Sequence, residues 1–370
     1  MPELFLTIFF ISILLFFLGT GIWVALSMVG VSAIGMLLFT SRPVGDAMAT
    51  TIWGTSSSWT LTALPLFVWM GEILFRTKLS ENLFKGLAPW MSRLPGGLIH
   101  VNIVGCALFA AISGSSAATV ATVGKMSIPE LRKRNYPEKL LLGSLAGSGT
   151  LGLLIPPSII LIIYGVTVQE SIAKLFIAGI IPGIMIAIFF MFYVIGWSIL
   201  NKDIMPQTKE TFSFSQKIKD SGQLIPVIVL ITAVIGSIYV GIATATEAAS
   251  LGVVGALILS FFQKSLNKES FKLSLLGATK TSCMIAFILA GSSFLSLAMG
   301  FTGLPRNLAI WIQEMNLSPY VLIIVLTIFY IILGMFLDGI SAVVLTMAII
   351  EPMIRQAGFD MIWFGVFLVI

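Results

Sequence analysis

Charged residues are scarce in this chain: only 10% of its 370 residues are Asp, Glu, Lys or Arg, and its mean hydropathy is +1.05. So little charge cannot cover the surface of a soluble domain of this length, which excludes a water-soluble enzyme or binding module. Histidine and cysteine are scarcer still. With His100 as the single imidazole, and Cys106 and Cys283 both inside apolar segments, no disulfide framework or His/Cys metal site can be assembled. There is no His-Glu-x-x-His motif, no nucleophile motif and few carboxylates within apolar runs, which argues against an intramembrane enzyme. The formal charge of +5 does not point to nucleic acid, because the Lys and Arg residues fall in short turns rather than on one polar face. Met1-Pro2-Glu3 lacks the positive n-region of a signal peptide, so the apolar run after it is expected to be a retained first span.

Long continuous apolar runs are what the chain has instead. They suit membrane helices, since barrel strands would alternate over roughly 10 residues. The expected fold class is an all-α polytopic membrane protein. Residues 4–18 and 22–39 read as two spans joined by Gly19-Thr20-Gly21, and a polar loop over 41–58 holds Arg42, Asp46, Trp53 and Trp59. A third span, 61–75, ends in Glu72 and Arg76 at ion-pair spacing. In 77–94 charged and apolar residues alternate at helical spacing, as in a helix lying in the interface. Segment 98–128 is too long for one span and reads as a re-entrant hairpin, 140–166 as a broken span and 175–200 as a conventional one. A polar linker, 201–222, precedes a second half over 223–370. That half has spans at 224–239, 247–262 and 281–300, a basic turn at 264–280, a surface helix at 303–316, a hairpin at 320–350 and the start of a broken span at 359–370.

Two interruptions organise the chain. Ser113-Gly114-Ser115-Ser116 breaks the first hairpin, and Gly147-Ser148-Gly149-Thr150, followed by Pro156-Pro157, breaks the span after it. An unpaired backbone group in hydrocarbon is expensive, so broken helix at membrane depth survives only where it lines a cavity or is buried in protein. Close helix packing accounts for small residues but not for two adjacent prolines. Freed carbonyls suit a hard cation such as Na+, and half-helix N-termini can face an anion. Candidate Na+ ligands are therefore Ser113, Gly114, Ser115, Ser116, Gly147, Ser148, Gly149 and Thr150, with Asp338, Gly339 and Ser341 in the second half. Candidate substrate contacts are Ser116, Thr150, Pro156, Pro157, Ser158 and Ser341. Asp338 lies in an apolar run with no basic residue within a helical turn, and an intramembrane carboxylate is functional by default. Glu247, at a helix start, is expected to sit in the favourable N-terminal field instead.

The order of span, span, span, surface helix, hairpin and broken span occurs twice. A shift of 223 positions sets Asp338 opposite Ser115, Pro352 opposite Pro129 and Phe359 opposite Tyr136, which is an internal repeat. Five crossings in the first half, with the hairpin adding none, start the second half on the opposite face, so the repeat is inverted. With the N-terminus outside, sixteen of the 21 Lys and Arg residues lie inside, among them Arg132, Lys133 and Arg134, the lysines of 202–219 and those of 264–280. Arg42, Lys174, Arg306 and Arg355 lie outside.

The residues from Ile112 to Ile128, from Arg132 to Tyr136, and Gly149-Thr150-Leu151-Gly152-Leu153-Leu154-Ile155-Pro156-Pro157-Ser158 resemble the large membrane (M) subunit of tripartite ATP-independent periplasmic (TRAP) transporters. Pro65-Leu66-Phe67, Met70-Gly71-Glu72, the run from Leu175 to Gly183, Gly241 with Thr244 to Ala249, and Gly303-Leu304-Pro305 extend the resemblance over nearly the whole chain. The family often has Pro between the threonines of Thr-x-Thr-Glu, where this chain has Ala245. The chain stops at Ile370, opposite Gly147 on the 223-residue shift, so the second Thr-Pro-Pro-type break expected of the family is absent from these residues: either the sequence is a piece of a longer chain or part of a second cation site is missing.

The resemblance implies a scaffold of outer spans and surface helices, and a moving domain of hairpins and broken spans that carries cargo as an elevator. It also implies Na+ coupling, a small four-helix membrane (Q) subunit, a periplasmic substrate-binding protein and an organic acid anion as cargo: a C4-dicarboxylate, a sialic acid or a similar carboxylate. The location it implies is the bacterial inner membrane, with a periplasmic N-terminus. A Na+-coupled carboxylate transporter without a binding protein is the alternative. A channel fits less well, because conducting pores are built from rings of charge or carbonyls.

Overall fold

The computed structural model describes residues 2–76, 79–206, 213–303, 307, 310, 318–335 and 337–370. These residues form helices joined by short turns, with no strand among them. Five of the helices are long and apolar enough to cross a membrane, and the number of spans rises to seven if each of two bent pairs counts as one. The expected surface helix at 303–316, with Arg306, and also Lys78 and Lys209, lie wholly or largely outside the described residues.

The first half opens with α1 (Pro2–Gly19) and α2 (Val24–Phe39), separated by the expected turn, in which Gly21 takes φ +80°. The polar stretch 41–58 is not a loop. It contains α3 (Val44–Ser56), which follows Pro43 and carries Asp46 in its first turn, both favourable at a helix start. A 3-10 turn, Trp59–Thr62, leads into α4 (Ala63–Phe75), and the chain bends by 54° between α3 and the stretch Trp59–Phe75. The helix expected at the interface is α5 (Leu79–Met91), with Leu83, Phe84 and Leu87 buried against protein. The hairpin consists of α6 (Ile99–Ser113) and α7 (Ser116–Lys133). The broken span consists of α8 (Glu138–Gly149), a single turn α9 (Leu151–Leu154) and α10 (Ile159–Thr167), and α11 (Ile172–Leu200) follows.

The linker carries a helix too, α12 (Phe214–Ser221), which leads into α13 (Ile225–Tyr239) at 51°. Then α14 (Ala245–Phe262) starts with a complete capping box: the Thr244 hydroxyl accepts from Glu247 N at 3.3 Å and Glu247 Oε2 accepts from Thr244 N at 2.8 Å. Glu247 thus holds the helix start as expected, and Ala245 in place of Pro does not disturb it. The expected basic turn at 264–280 is mostly helical, because α15 runs from Lys268 to Thr302, 35 residues. Asn267 and Ser270 cap it reciprocally, Ser270 N to Asn267 Oδ1 at 2.7 Å and Asn267 N to Ser270 Oγ at 2.9 Å. The chain closes with α16 (Pro319–Gly334), α17 (Gly339–Gln356) and α18 (Met361–Val369).

The described chain divides into two compact units. One comprises Thr62–Leu161 and Ile172–Lys280. Within it α4 lies along α14, where Gly252 leaves room for the Met70 sulfur, and α12 docks on α5 through Trp90 Nε1, which donates to Ser221 Oγ at 2.7 Å. Only 22% of the apolar stretch of α11 is buried, against 78% for Glu138–Thr167, so the broken span is core and α11 leaves Ile181, Phe189 and Phe192 exposed. The other unit comprises Met1–Leu61, Ile162–Ser171 and Thr281–Ile370. Its core gathers Met36, Phe294 and Ala298, flanked by Phe301, over whose ring the Arg42 guanidinium sits at 4.4 Å.

Candidate functional site

The tip of the first hairpin is built by Gly114. Its φ of +58° ends α6 in the left-handed conformation, and its N–H donates to Ala110 O at 3.0 Å. The other terminal carbonyls of α6 are left without intrahelical donors. Ser115, extended at φ −131°, caps α7 by accepting from Ala118 N at 3.4 Å, while the Ser113 hydroxyl lies 2.9 Å from the Thr119 hydroxyl. Ser113 and Gly114 are buried, whereas Ser115 and Ser116 are half-buried.

The break facing this tip lies further along than the sequence suggests. Gly147, Ser148 and Gly149 remain helical, and the chain leaves the helix at Ile155, which is extended, before the cis Pro156-Pro157 bond. Proline removes backbone donors and forces the residue before it out of the helical region. Gly and Ser merely weaken a helix. Ser148 is buried and its hydroxyl stays with the helix, donating to Ser144 O at 2.6 Å, while exposed Thr150 donates to Gly147 O at 2.7 Å. Ser158 restarts the helix: its hydroxyl contacts Leu153 O and accepts from Leu161 N at 3.3 Å.

Tip and break are held backbone to backbone. Ile159 N donates to Gly114 O at 3.3 Å, and a Cβ on Gly152 would come within 2.8 Å of Ser115 O. The structure therefore brings Gly114, Ser115 and Ser116 against Gly152, Pro157 and Ile159, while Ser113 backs onto Gly71, where an added Cβ would lie 3.0 Å from the Ser113 Cα. Contact with the 147–150 stretch comes through Gly149, where an added Cβ would collide with Val120. Gly152 was legible in principle, as the glycine inside Leu151-Gly152-Leu153 beside the diproline, but its partner on the hairpin was not.

In the other unit the second interruption falls where expected, between α16 and α17. Asp338 is exposed and caps α17, its Oδ2 accepting from Ile340 N at 3.1 Å and Ser341 N at 3.2 Å, and Ser341 is buried behind it. The carboxylate thus has a local structural role as well as a free face. Contacts the sequence does not disclose hold this unit together: Ser292 Oγ donates to Val344 O at 2.7 Å, Tyr164 to Met361 O at 2.6 Å, and Arg355 reaches Val168 O at 3.0 Å and Glu170 at 3.7 Å. Among the described residues no group of three or more His, Cys, Asp or Glu side chains could hold a metal, so any cation bound here would rely on carbonyls and hydroxyls.

Residues 9–370, which contain both helix breaks, match the family described as tripartite ATP-independent periplasmic transporter, DctM component. The chain belongs to this family. It is thus a large permease (M) subunit of the TRAP type, and its similarity to individual TRAP permeases runs nearly end to end. It is 30% identical over 341 residues to the C4-dicarboxylate TRAP transporter large permease protein DctM of Pseudomonas aeruginosa, covering 91% of this chain and 78% of that protein. It is 31% identical over 324 residues to the 2,3-diketo-L-gulonate TRAP transporter large permease protein YiaN of Escherichia coli (strain K12), covering 87% and 76%. With the isethionate TRAP transporter permease protein DctMQ of Oleidesulfovibrio alaskensis it shares 29% identity over 361 residues, 96% of this chain and 55% of that protein.

Proposed function

We propose that this TRAP permease subunit imports an organic acid anion in symport with Na+ across the bacterial inner membrane, by an elevator movement of its hairpins and broken spans. The observation that carries the reading is the backbone contact of the first hairpin tip with the broken span, Gly114 O to Ile159 N at 3.3 Å beside the Gly152–Ser115 approach. Such a junction leaves helix-end carbonyls in protein rather than in lipid, and those are the oxygens a weakly held monovalent cation needs. The proposed Na+ ligands in the first half are Ser113, Gly114, Ser115 and Ser116 with the 147–150 stretch, and in the second half Asp338, Gly339 and Ser341. Ser116, Thr150, Pro156, Pro157, Ser158 and Ser341 are proposed to face the cargo. The acids in the three relatives' names, a C4-dicarboxylate, a diketogulonate and isethionate, are all anions.

An inverted repeat is part of the proposal. It is supported by helix ends that recur 223 positions apart: α7 and α17 are both 18 residues, capped by Ser115 and Asp338 and containing Pro129 and Pro352. Asn135 and Gly358 both follow with positive φ, at 58° and 79°, and α8 and α18 start at Glu138 and Met361. The halves differ where α15 is one helix and α3 with α4 is a bent pair.

The partners proposed are a small four-helix Q subunit and a periplasmic binding protein that delivers the acid. The DctMQ relative, of which this chain covers 55%, leaves length for a second component within one polypeptide. The test is initial uptake of labelled C4-dicarboxylates, sialic acids and keto acids into proteoliposomes containing both membrane subunits. Saturable uptake that needs an inward Na+ gradient and an added binding protein is expected. Uptake of equal rate without Na+, or without the binding protein, would contradict it.

A further inference from the structure

Three exposed lysines, Lys264, Lys268 and Lys272, follow one another where α14 ends and α15 begins, and none makes an ion pair with a described residue. From 263 to 280 the chain has four lysines against a single acid, Glu269. The basic turn at 132–134 differs, since Arg132 is paired with Glu138, and Arg134 with Glu130 at 3.5 Å. The positive charge at the start of α15 is thus uncompensated within the described chain.

Local structure fixes where these lysines stand. Lys264 takes φ +53° just past the end of α14, and the reciprocal Asn267–Ser270 cap starts α15 at Lys268. On α15, Lys268, Lys272 and Leu276 recur every four residues with Leu275 and Thr279 beside them, and all five are exposed. The opposite face is buried through Ser274 and Ala278, and Trp69 Nε1 donates to Ser274 Oγ at 3.3 Å. The outward stripe therefore carries charge at the helix end and aliphatic carbon further in, Leu276 lying about 6 Å along the axis from Lys272. Phe261 and Phe262, 68% and 76% exposed, add apolar surface at the adjoining end of α14.

Behind the stripe there is no room for an anion. The cavity lined by Arg76, Ser260, Ser265, Ser270 and Ser274 has a volume of about 10 Å³, enough for one water, and Arg76 is already paired with Glu72 at 3.1 Å. A ligand of the three lysines must lie on the outer surface of the helices. There it needs a negative group level with the ammonium groups and hydrocarbon level with the leucines.

We infer that Lys264, Lys268 and Lys272 form a binding site for an anionic phospholipid, with its phosphate on the lysines and an acyl chain along Leu275 and Leu276. Juxtamembrane lysines attract anionic lipid in just this way. The inference needs only that the chain sits in a bilayer, and it does not depend on the cargo, on Na+ or on the elevator.

A fluorophore attached through Leu276→Cys, in a background lacking Cys106 and Cys283, reads which lipid lies against the stripe when the purified protein is reconstituted in liposomes. Brominated phosphatidylglycerol is expected to quench it with roughly 10-fold higher apparent affinity than brominated phosphatidylcholine with the same chains. Lys264→Gln, Lys268→Gln and Lys272→Gln should each reduce that preference by roughly 2- to 5-fold. Lys272→Arg, which keeps the charge, should retain it, and Lys139→Gln, at an exposed lysine of α8, should leave it unchanged. Equal quenching by the two lipids, a preference untouched by all three glutamine variants, or one lost equally in Lys139→Gln would overturn the site. Displacement of the lipid by inorganic phosphate at matched ionic strength would assign the lysines to a free anion instead, and would overturn it too.

Discussion

Gly114 and Gly152 carry the hairpin junction for different physical reasons. At Gly114 the backbone is left-handed, which costs an L-residue roughly 1–2 kcal/mol, and a Cβ would also meet Pro157 O at 2.5 Å. At Gly152 the obstacle is Ser115 backbone, 2.8 Å from the added atom, and backbone cannot rotate aside as a side chain can. An atom added at Gly143, on α8, would meet nothing within 4 Å. Gly114→Ala and Gly152→Ala are therefore expected to lower the melting temperature and Na+-driven uptake, whereas Gly143→Ala leaves both near wild type. Equal tolerance at all three positions would refute the packing of tip against break. Asp338 needs a substitution that separates its two roles. Asn caps helices about as well as Asp, so Asp338→Asn should keep α17 intact and remove only the charge. A rise in Na+ half-saturation of roughly 5-fold or more at unchanged melting temperature is expected, the loss of a hydrogen bond to a charged group being about 1.5–3 kcal/mol. An unchanged half-saturation would remove Asp338 from the cation site. At this scale the sequence disclosed which residues are small or charged within apolar runs. It could not disclose that the Ser148 hydroxyl is already taken by Ser144 O, since Ser in a membrane helix reads the same whether bonded inward or free.

At the scale of elements, α12 is the least expected feature. It lies in a linker that looks only polar, yet Trp90 Nε1 donates to Ser221 at 2.7 Å, Lys217 Nζ sits 5.3 Å from the Trp90 ring, and Leu224 fills the space over Gly86. Trp90→Ala should loosen α12 from α5, a loss of about 0.5–1.5 kcal/mol for the hydrogen bond with the ring packing added. The expected readout is faster limited proteolysis between Lys202 and Ser221, with α13 and α14 still protected. Unaltered cleavage would show that α12 holds its place without this contact. The helix α5 was legible from the spacing of its apolar residues, and α11 and α16 from their continuous apolar runs. By contrast α3 buries no residue, so it has no periodic signal, and only Pro43 and Asp46 mark its start. The first turns of α15 were hidden by Lys268 and Lys272, although Asn267 and Ser270 carry a cap signature.

For the whole molecule, mean hydropathy pointed to the membrane class, while the topology drawn from Lys and Arg and the two halves drawn from the 223-residue offset are proposals. The pairing within each unit was not legible. Contacts such as Tyr164 with Met361, or Arg355 with Glu170, join residues nearly two hundred positions apart that have no motif in common. The proposal of two mirrored halves is the claim on which the Na+ sites, the elevator and the topology all depend. Lys133 and Gln356 end α7 and α17, lie 223 positions apart and are both exposed. Cysteines placed singly at these positions in a background lacking Cys106 and Cys283 are to be probed in intact cells with a membrane-impermeant thiol reagent. Labelling at position 356 from outside, and at position 133 only after the membrane is opened, is the predicted result, and labelling of both from the same side would contradict the account.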